Sequence, residues 1–275
     1  MSPNSGSICA RKPIAAWTPP SIWRRDVIRL APVFGLVTLI AAGLALQGLI
    51  AIDVVSRYVV PPPSEVLAAL GRIVVEEQVP ARFLLTSAET FAAGLLILTA
   101  GVPAGFWLYH SRPFRRAFEP WVAAWAAAPL VLAYPLFLVL FGRSSITIVI
   151  LGVAAGTAPV ILKTVEGLAA TRTVLIDVGR SLRLTRGQMF RKILFPAAMP
   201  AIFTGLRLGL TFSLINIVGV EFLINLGGLG QLINELAERY DLAGTYAAIG
   251  FVLLASMLFF VCLEHIERWL RRAYG

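Results

Sequence analysis

Four polar side chains lie in or beside one apolar stretch, residues 197–220, and they are the residues of this chain best placed to bind a solute. They are Arg207, Ser213, Asn216 and Glu221. Ser213 and Asn216 are three residues apart, so on a helix they share one face. A hydroxyl, an amide and two charged groups can bond to a bound molecule or to a neighbouring helix. The pattern indicates binding or packing rather than catalysis, and it leaves open whether Asn216 touches a solute.

The sequence carries no motif of a nucleotide-hydrolysing or peptide-hydrolysing enzyme. A phosphate-binding loop needs glycines before its Lys and Ser or Thr, but the Lys163-Thr164 pair follows a leucine. The HExxH and GxSxG motifs are absent. The two cysteines, Cys9 and Cys262, are far apart and form no CxxC pattern, and no metal site is predicted. We therefore expect a chain without catalytic residues and without a cofactor of its own.

The composition predicts an integral membrane protein. Of the 275 residues, 58% are hydrophobic and only 14% are charged. Soluble domains average about 25% charged residues. The net charge of +9 does not indicate nucleic-acid binding, because the arginines are scattered between apolar runs instead of forming one basic face.

The apolar runs predict six transmembrane helices, since a bilayer core needs about 20 apolar residues per helix. The predicted spans are 30–52, 91–109 (starting near Leu84), 120–142, 144–162, 197–220 and 242–263. The domain expectation is a polar N-terminal leader, residues 1–29, followed by a membrane domain, residues 30–272. In the second span, Glu89 is expected to contact another helix.

The distribution of basic residues predicts the orientation. With both termini on one side, that side carries 18 Lys and Arg residues and the other side five. Basic residues are enriched in cytoplasmic loops, so both termini are expected in the cytoplasm. Arg207 then lies inside the fifth span, where it either attracts an anion or reaches headgroups or a backbone carbonyl; we favour the second use. Glu221, at the outer end, is expected to act as a gate or a structural contact.

The loop of residues 163–196 is the one long cytoplasmic loop in this arrangement. Thr173–Leu184 predicts a short helix, and residues 185–188 fit a capping box that starts a second helix. We expect Pro196 to end that second helix. The apolar side chains of both helices would then form a ridge exposed to the cytosol for a partner's groove. The alternative is a loop that folds back on its own helix ends.

The same loop resembles the signature of the permease subunits of bacterial ABC importers. That signature begins Glu-Ala-Ala, has Gly at its seventh position and ends Ile-x-Leu-Pro. This chain has Asp177-Val178-Gly179 at the start and Ile193-Leu194-Phe195-Pro196 at the end. It departs from the pattern with Arg183 for the Gly and Phe195 for the Leu. Gly187, four residues after Arg183, is our candidate for the turn in place of the missing glycine.

Further segments are similar to the branch that imports nitrate, taurine, aliphatic sulfonates, bicarbonate and some aromatic acids, pyrimidines or riboflavin. The resemblance covers roughly residues 61–268. The segments are Pro61–Val66, Pro200–Arg207, Glu221 and Gly227–Gly230. The third span departs from the branch, with Ala123–Ala128 and Leu140-Phe141-Gly142 where a proline-rich stretch and Trp-Phe-Gly are usual.

The resemblance implies a type I ABC importer permease bundle: an all-α membrane protein of six helices with a cytoplasmic coupling helix-turn-helix, in a bacterial inner membrane. Its partners would be a second permease copy or a different permease, two cytosolic ATPases that bind ATP and Mg²⁺, and a periplasmic or extracellular solute-binding protein. The expected ATPase-coupling residues are Asp177, Val178, Gly179, Leu182, Arg183, Gly187, Met189, Phe190, Ile193 and Pro196. The expected path residues are Arg207, Ser213, Asn216 and Glu221.

Two other classes of membrane protein are alternatives. A secondary transporter or channel without ATPases would favour acidic or histidine relays inside the spans and an internal repeat, and neither is evident. An intramembrane enzyme would need paired catalytic residues at one depth, and acidic residues are nearly absent from the span centres.

Overall fold

The structure is a computed structural model that describes residues 21–274, with side chains for 34, 35 and 37–268. Every regular element in that part of the chain is helical. The helices are α1 (Ser21–Ala51), α2 (Pro63–Glu76), α3 (Val79–His110), α4 (Arg112–Ala127), α5 (Tyr134–Phe141), α6 (Ser145–Ala169), α7 (Thr173–Ser181), α8 (Arg186–Met189), α9 (Phe195–Ile224), α10 (Gly228–Glu238) and α11 (Leu242–Tyr274). A 3₁₀ turn, Leu130–Ala133, precedes α5, and a π-helical segment, Phe190–Leu194, joins α8 to α9.

The chain divides into two compact units, one up to Val55 and one from Ser56 onward. In the first unit, α1 begins at Ser21, so it includes residues that the sequence placed in the polar leader. The rest of that leader lies outside the described residues. The apolar part of α1 with described side chains is Val37–Ala51, which is shorter than a bilayer crossing. The first predicted span is therefore not confirmed.

The second unit contains four helical segments long and apolar enough to cross a membrane. They are Val79–His110, Ser145–Ala169, Arg186–Ile224 and Leu242–Arg268. If α4 and residues 130–141 count as one bent span, there are five, so the described residues contain four or five candidate spans where the sequence predicted six.

The predicted third span, 120–142, is broken. Helix α4 starts earlier, at Arg112, and the axes on either side of Ala128 and Pro129 differ by 85°. Ala128 has extended dihedrals, φ −72° and ψ 133°. A residue before proline is driven out of the helical region, and Pro129 itself has no N–H to continue the helix. The break thus follows from one proline that the hydropathy pattern concealed.

The centre of this unit is α6, which packs tightly between α3 and α9. Glycines make the close approach possible. A Cβ on Gly105 would lie 2.6 Å from Cβ of Thr164, and one on Gly152 would lie 2.8 Å from Oγ of Ser213. The GxxxG pairs of α3, α6 and α9 therefore face neighbouring helices of the same chain.

Ion pairs and hydrogen bonds join the helices at the end of the bundle that carries α10, which we call the α10 end; the opposite end, which carries α7, is the α7 end. Arg82 of α3 pairs with Glu235 of α10 at 2.6 Å. Arg143 donates to the carbonyls of Ile224 at 2.8 Å and Asn225 at 2.6 Å. These bonds close the last turn of α9, whose end at Asn225 is left-handed with φ 49°.

Asp241 starts α11 and ties it to α2. Its carboxylate accepts a hydrogen bond from the backbone N–H of Gly244 at 2.9 Å, as an N-cap residue does, and it pairs with Arg72. Burial opposes ionisation of Asp241, but the Gly244 N–H and the Arg72 guanidinium outweigh it and lower the pKa of the carboxyl. The charged form is therefore favoured in the folded chain.

We expect Asp241→Asn to cost about 0.5–1 kcal/mol at neutral pH, because asparagine keeps the cap and loses the ion pair. Since the folded pKa lies below the unfolded value of about 3.9, the contribution of the charge is present above that value. It is lost as the pH falls through the folded pKa. Melting of the full-length variant and wild type in detergent should differ near pH 7 and converge in acid; an unchanged difference in acid would contradict this origin.

Candidate coupling loop and translocation residues

The predicted cytoplasmic loop is shorter and more ordered than the sequence suggested. Helix α6 continues to Ala169, so Lys163 lies inside it, where its ammonium pairs with Glu166 at 2.6 Å. Only residues 170–172 separate α6 from α7, and four residues separate α7 from α8. Short connections of this kind hold α7 in one place.

Arg183 makes the turn that ends α7. Its φ is 51°, in the left-handed region. The N–H of Leu184 donates to the carbonyl of Gly179 at 3.0 Å, and the N–H of Arg183 donates to that of Arg180 at 2.9 Å. This pair of bonds is a Schellman motif, whose left-handed position is usually glycine. The prediction that Gly187 makes the turn is therefore wrong, because Gly187 lies within α8.

The capping box at the start of α8 is confirmed. The N–H of Gln188 donates to the hydroxyl of Thr185 at 3.4 Å, and the N–H of Thr185 donates to the side-chain oxygen of Gln188 at 3.0 Å. Two N–H groups at the helix start are thereby satisfied, which fixes where α8 begins.

Pro196 does not end the second helix, contrary to the prediction. The chain runs as one helical segment from Arg186 to Ile224, and Pro196 lies in the first turn of α9. The N–H of Phe195 donates to the carbonyl of Phe190, a π-helical bond five residues back. The wider π turn accommodates Pro196, which has no N–H to donate and whose ring would clash with the preceding turn of a regular α-helix. Helix α8 is thus continuous with the span that follows it.

An exposed apolar face belongs to α7. The exposed fractions of the apolar side chains are 68% for Val174, 42% for Leu175 and 50% for Val178, and 68% for Leu182 at the C-cap of the helix. Asp177, beside this face, pairs with Arg180 at 3.2 Å and is exposed. Four large apolar side chains within the nine residues from Val174 to Leu182 form a patch that the described part of the chain leaves uncovered.

The apolar residues of the second helix point inward, so the predicted ridge does not extend to them. A Cβ on the buried Gly179 would lie 2.6 Å from Cε of Met189 and from Cδ1 of Ile193. The ring of Phe190 meets that of Phe106, with centroids 5.0 Å apart and planes at 82°. Met189, Phe190 and Ile193 therefore hold α7 against the bundle, and the alternative of a loop folded on its own helix ends describes this half.

Arg207 is paired inside the bundle. Its Nη1 lies 3.1 Å from Oε2 of Glu267 on α11, and the guanidinium lies 5.3 Å from the ring centroid of Phe260. The hydroxyl of Thr204 donates to Oε1 of Glu267 at 3.1 Å. The favoured expectation, a side chain reaching headgroups or a backbone carbonyl, is wrong. Glu267 is not among the predicted residues because the predicted sixth span ends at Leu263. The signal that could have found it is an acidic residue at the same depth as Arg207.

Removing one partner of the Arg207–Glu267 pair is expected to lower the free energy of unfolding more than removing both partners. Glu267→Leu leaves a largely buried guanidinium without a carboxylate and should lower stability by about 2–3 kcal/mol. The double variant Arg207→Met/Glu267→Leu should recover most of that loss. Thermal melting of the full-length chain in detergent measures both. A double variant as unstable as Glu267→Leu would contradict a structural ion pair.

Ser213, Asn216 and Glu221 do not face a common cavity. Ser213 is fully buried where α9 crosses α6 at Gly152, so its place as a path-lining residue is not supported. Asn216 is half-buried and donates to the carbonyl of Phe212 at 2.9 Å. Of these three, Asn216 alone retains an accessible side chain.

Glu221 is a structural contact at the start of α10. Its buried carboxylate accepts from the hydroxyl of Thr86 at 2.7 Å and from the N–H of Gly230 at 2.9 Å. A Cβ on Gly228 would collide with this carboxylate, and Gly228 has φ 81°. The glycine-rich turn thus allows the positively polarised N-terminus of α10 to lie against the carboxylate of Glu221. The buried Glu89 lies beside Glu221, as its predicted interhelical contact requires.

The described residues contain no group of three His, Cys, Asp or Glu side chains placed to hold a metal ion. The two main features of the structure are the exposed apolar face of α7 and the bundle of long apolar helices against which α7 packs. Residues 97–272 match the family of binding-protein-dependent transport system inner membrane components. The chain belongs to this family. It is the permease subunit of an ABC importer, as the loop signature implied.

Curated relatives of this permease agree in kind. The taurine transport system permease protein TauC of Escherichia coli is 25% identical over 233 residues, which cover 82% of this chain and 83% of the relative. The nitrate import permease protein NrtB of Synechocystis is 36% identical over 108 residues, 38% of this chain and 39% of the relative. Among solved structures, an inward-facing conformation of the MetNI methionine ABC transporter matches with a TM-score of 0.60 and 20% identity, covering 72% of this permease and 96% of that chain.

Proposed function

We propose that this permease forms the path for a small anionic solute of the sulfonate or nitrate type. The observation that best supports this proposal is the match to a taurine permease over 82% of the chain. An aliphatic-sulfonate permease of Bacillus subtilis is also 25% identical over 203 residues. An external solute-binding protein would deliver the solute. Asn216, which is only half-buried, is the proposed path contact among Ser213, Asn216 and Glu221.

We infer that α7 is the coupling helix that docks into a cytosolic ATPase. What supports this is the uncovered patch of Val174, Leu175, Val178 and Leu182. An apolar ridge is buried when it enters a partner's groove, and the hydrophobic gain scales with the area removed from water. The α7 end then faces the cytoplasm, in agreement with the excess of basic residues on that side.

The contacts around α7 suggest how force would pass into the membrane. Gly179 seats α7 on Met189 and Ile193, and those residues belong to the helical segment that continues through Pro196 into α9. A displacement of α7 is therefore passed to a spanning helix without a hinge of loop residues. ATP and Mg²⁺ would bind to the ATPases, and closure of two ATPases would move the α7 helices of two permeases together.

The assembly follows from this proposal: two ATPases, two permease subunits and one binding protein, in the inner membrane of a bacterium with both permease termini in the cytoplasm. Two copies of this chain form the simplest pair. Asp177 and Arg183 lie at the edge of the docking patch. Gly179, Met189, Phe190 and Ile193 act by holding α7 rather than by touching the ATPase. Gly187 is exposed on α8 with no atom near its Cβ position, and Pro196 lies in the first turn of α9.

The test is reconstitution of the permease with an ABC ATPase and a solute-binding protein from the same organism. Uptake of taurine or nitrate into vesicles should require ATP and the binding protein, and it should stop when the ATPase is omitted. The competing function is a secondary transporter or channel. Uptake by the permease alone, driven by an ion gradient, would establish that alternative and overturn the proposal.

A further inference from the structure

The turn between α7 and α8 carries an arginine in a backbone conformation that suits glycine. Arg183 has φ 51°, and the two backbone bonds of its Schellman motif hold it there. The left-handed conformation is unfavourable for a residue with a Cβ, whereas glycine makes the same turn without that cost. The stability of the turn therefore does not explain the arginine. A strained residue that the fold does not need is a candidate for a role outside the fold.

The side chain of Arg183 has no partner within the described part of the chain. It is exposed, and its guanidinium forms no ion pair, hydrogen bond or ring contact there. Arg180, one turn earlier, is already paired with Asp177 at 3.2 Å. Arg186 is also exposed and unpaired among the described residues, although the first turn of a helix disfavours a positive charge. Two locally unfavourable arginines thus leave two guanidinium groups free at one turn.

This turn adjoins the apolar patch of α7. Leu182, which is 68% exposed, comes directly before Arg183, and Val178 lies one turn earlier. Protein interfaces commonly have an apolar centre and a polar rim. Arginine suits such a rim because its planar guanidinium can hold a carboxylate with two parallel hydrogen bonds. A partner that covers Val178 and Leu182 must therefore also meet the positive charge beside them.

We propose that Arg183 binds a carboxylate of the cytosolic ATPase, so that charge as well as apolar contact selects the ATPase that docks on α7. This inference rests on the proposed docking of α7. It specifies an Asp or Glu at the edge of the ATPase's docking groove. Opposite charges at an interface rim speed association and disfavour wrong partners, and salt weakens both effects. A lipid phosphate could be met by an arginine in a relaxed conformation, whereas position 183 directly follows the patch.

The first test removes the charge and keeps the backbone strain. Full-length permease in neutral detergent is titrated with a labelled ABC ATPase from the same organism. Arg183→Gln should weaken binding about tenfold, because a charged hydrogen bond is lost, and high salt should reduce the difference from wild type. Arg183→Lys should keep most of the affinity.

Wild-type affinity of Arg183→Gln would overturn the proposal. If Val178→Asp/Leu182→Asp then still lost the ATPase, docking by α7 would stand and charge recognition alone would fail. If Arg183→Gln kept the ATPase but lost co-purifying phosphatidylglycerol, the arginine would bind a lipid phosphate, and the proposal would likewise be overturned.

The second test removes the strain together with the charge. Its matched control is Tyr240→Gly, because Tyr240 has φ 57° and ends α10 with the same pair of backbone bonds, at the opposite end of the bundle. Both Arg183→Gly and Tyr240→Gly should melt at or above the wild-type temperature, since glycine relieves the left-handed strain. Arg183→Gly should nevertheless bind the ATPase about tenfold more weakly, and Tyr240→Gly should bind it like the wild type. Equal ATPase affinity of the two glycine variants would contradict recognition by Arg183.

Discussion

The variant Val178→Asp/Leu182→Asp is expected to abolish association with the ATPase while the permease still inserts into the membrane. Both side chains are at least half exposed, Val178 on α7 and Leu182 at its C-cap, so a polar replacement is tolerated by the isolated permease. In a docked complex each aspartate would bury a charge without a partner. Replacing one hot-spot residue of an interface weakens the binding free energy by about 2 kcal/mol or more, so replacing both should weaken binding about a thousandfold. Co-purification of tagged permease with the ATPase measures the loss.

The matched control is Thr173→Asp. Thr173 is exposed on the same helix but lies on the side away from Val178 and Leu182. It also occupies the first turn, where a negative charge is tolerated by the helix dipole. This variant should retain the ATPase. If both variants retained it equally, α7 would not be the docking helix; if both lost it, the effect would be charge and not the apolar patch.

Phe190→Asp has a different expected outcome, although the sequence alone placed Phe190 in the same exposed ridge. Its ring packs against Phe106 and Phe195, so a charge there breaks the packing of α3 with the start of α9. The permease should be lost before docking can be assayed. A coupling assay based on Phe190 would therefore confuse misfolding with lost docking.

The coupling loop shows what a sequence pattern can and cannot predict. The capping box of Thr185 and Gln188 and the α7 helix followed from local residue types, and both are confirmed. Which apolar residues face the solvent depends on where α8 lies relative to Gly179 and Phe106, and a local pattern does not contain that contact. Arg183 shows the same limit, because a turn fixed by two backbone bonds keeps its shape with an unfavourable residue at the glycine position.

Hydropathy predicts the membrane spans where apolar length alone determines them, and it fails where a proline changes the course of the backbone. Helices α3, α6, α9 and α11 lie at or around the predicted segments. The third span has the required apolar length, but Pro129 breaks it, and hydropathy does not record a missing N–H. Pro196 shows the converse: a π turn absorbs it, so a proline that predicted a helix end lies inside a continuous segment.

The substitution Gly156→Val is expected to destroy the α6–α9 crossing on which the bundle is built. A Cβ at position 156 would lie 2.5 Å from the carbonyl oxygen of Gly209 and would also collide with Ile97. The obstacle is backbone, which cannot rotate away as a side chain can, so the two helices must separate. Overpacking of a tight core costs about 1–3 kcal/mol, and a backbone clash lies at or above the upper end.

Gly250→Val separates this packing effect from the intrinsic effect of replacing a glycine in a membrane helix. Gly250 lies in α11 with no atom near its Cβ position, so valine there meets open space. Full-length Gly250→Val should express and melt like the wild type, whereas Gly156→Val should be depleted from membranes and melt at lower temperature in detergent. If the two variants were expressed equally and melted at the same temperature, this would contradict the close approach of α6 and α9 at Gly156. Since α9 also continues into the segment that seats α7, a loosened crossing should uncouple the ATPase even in the protein that survives.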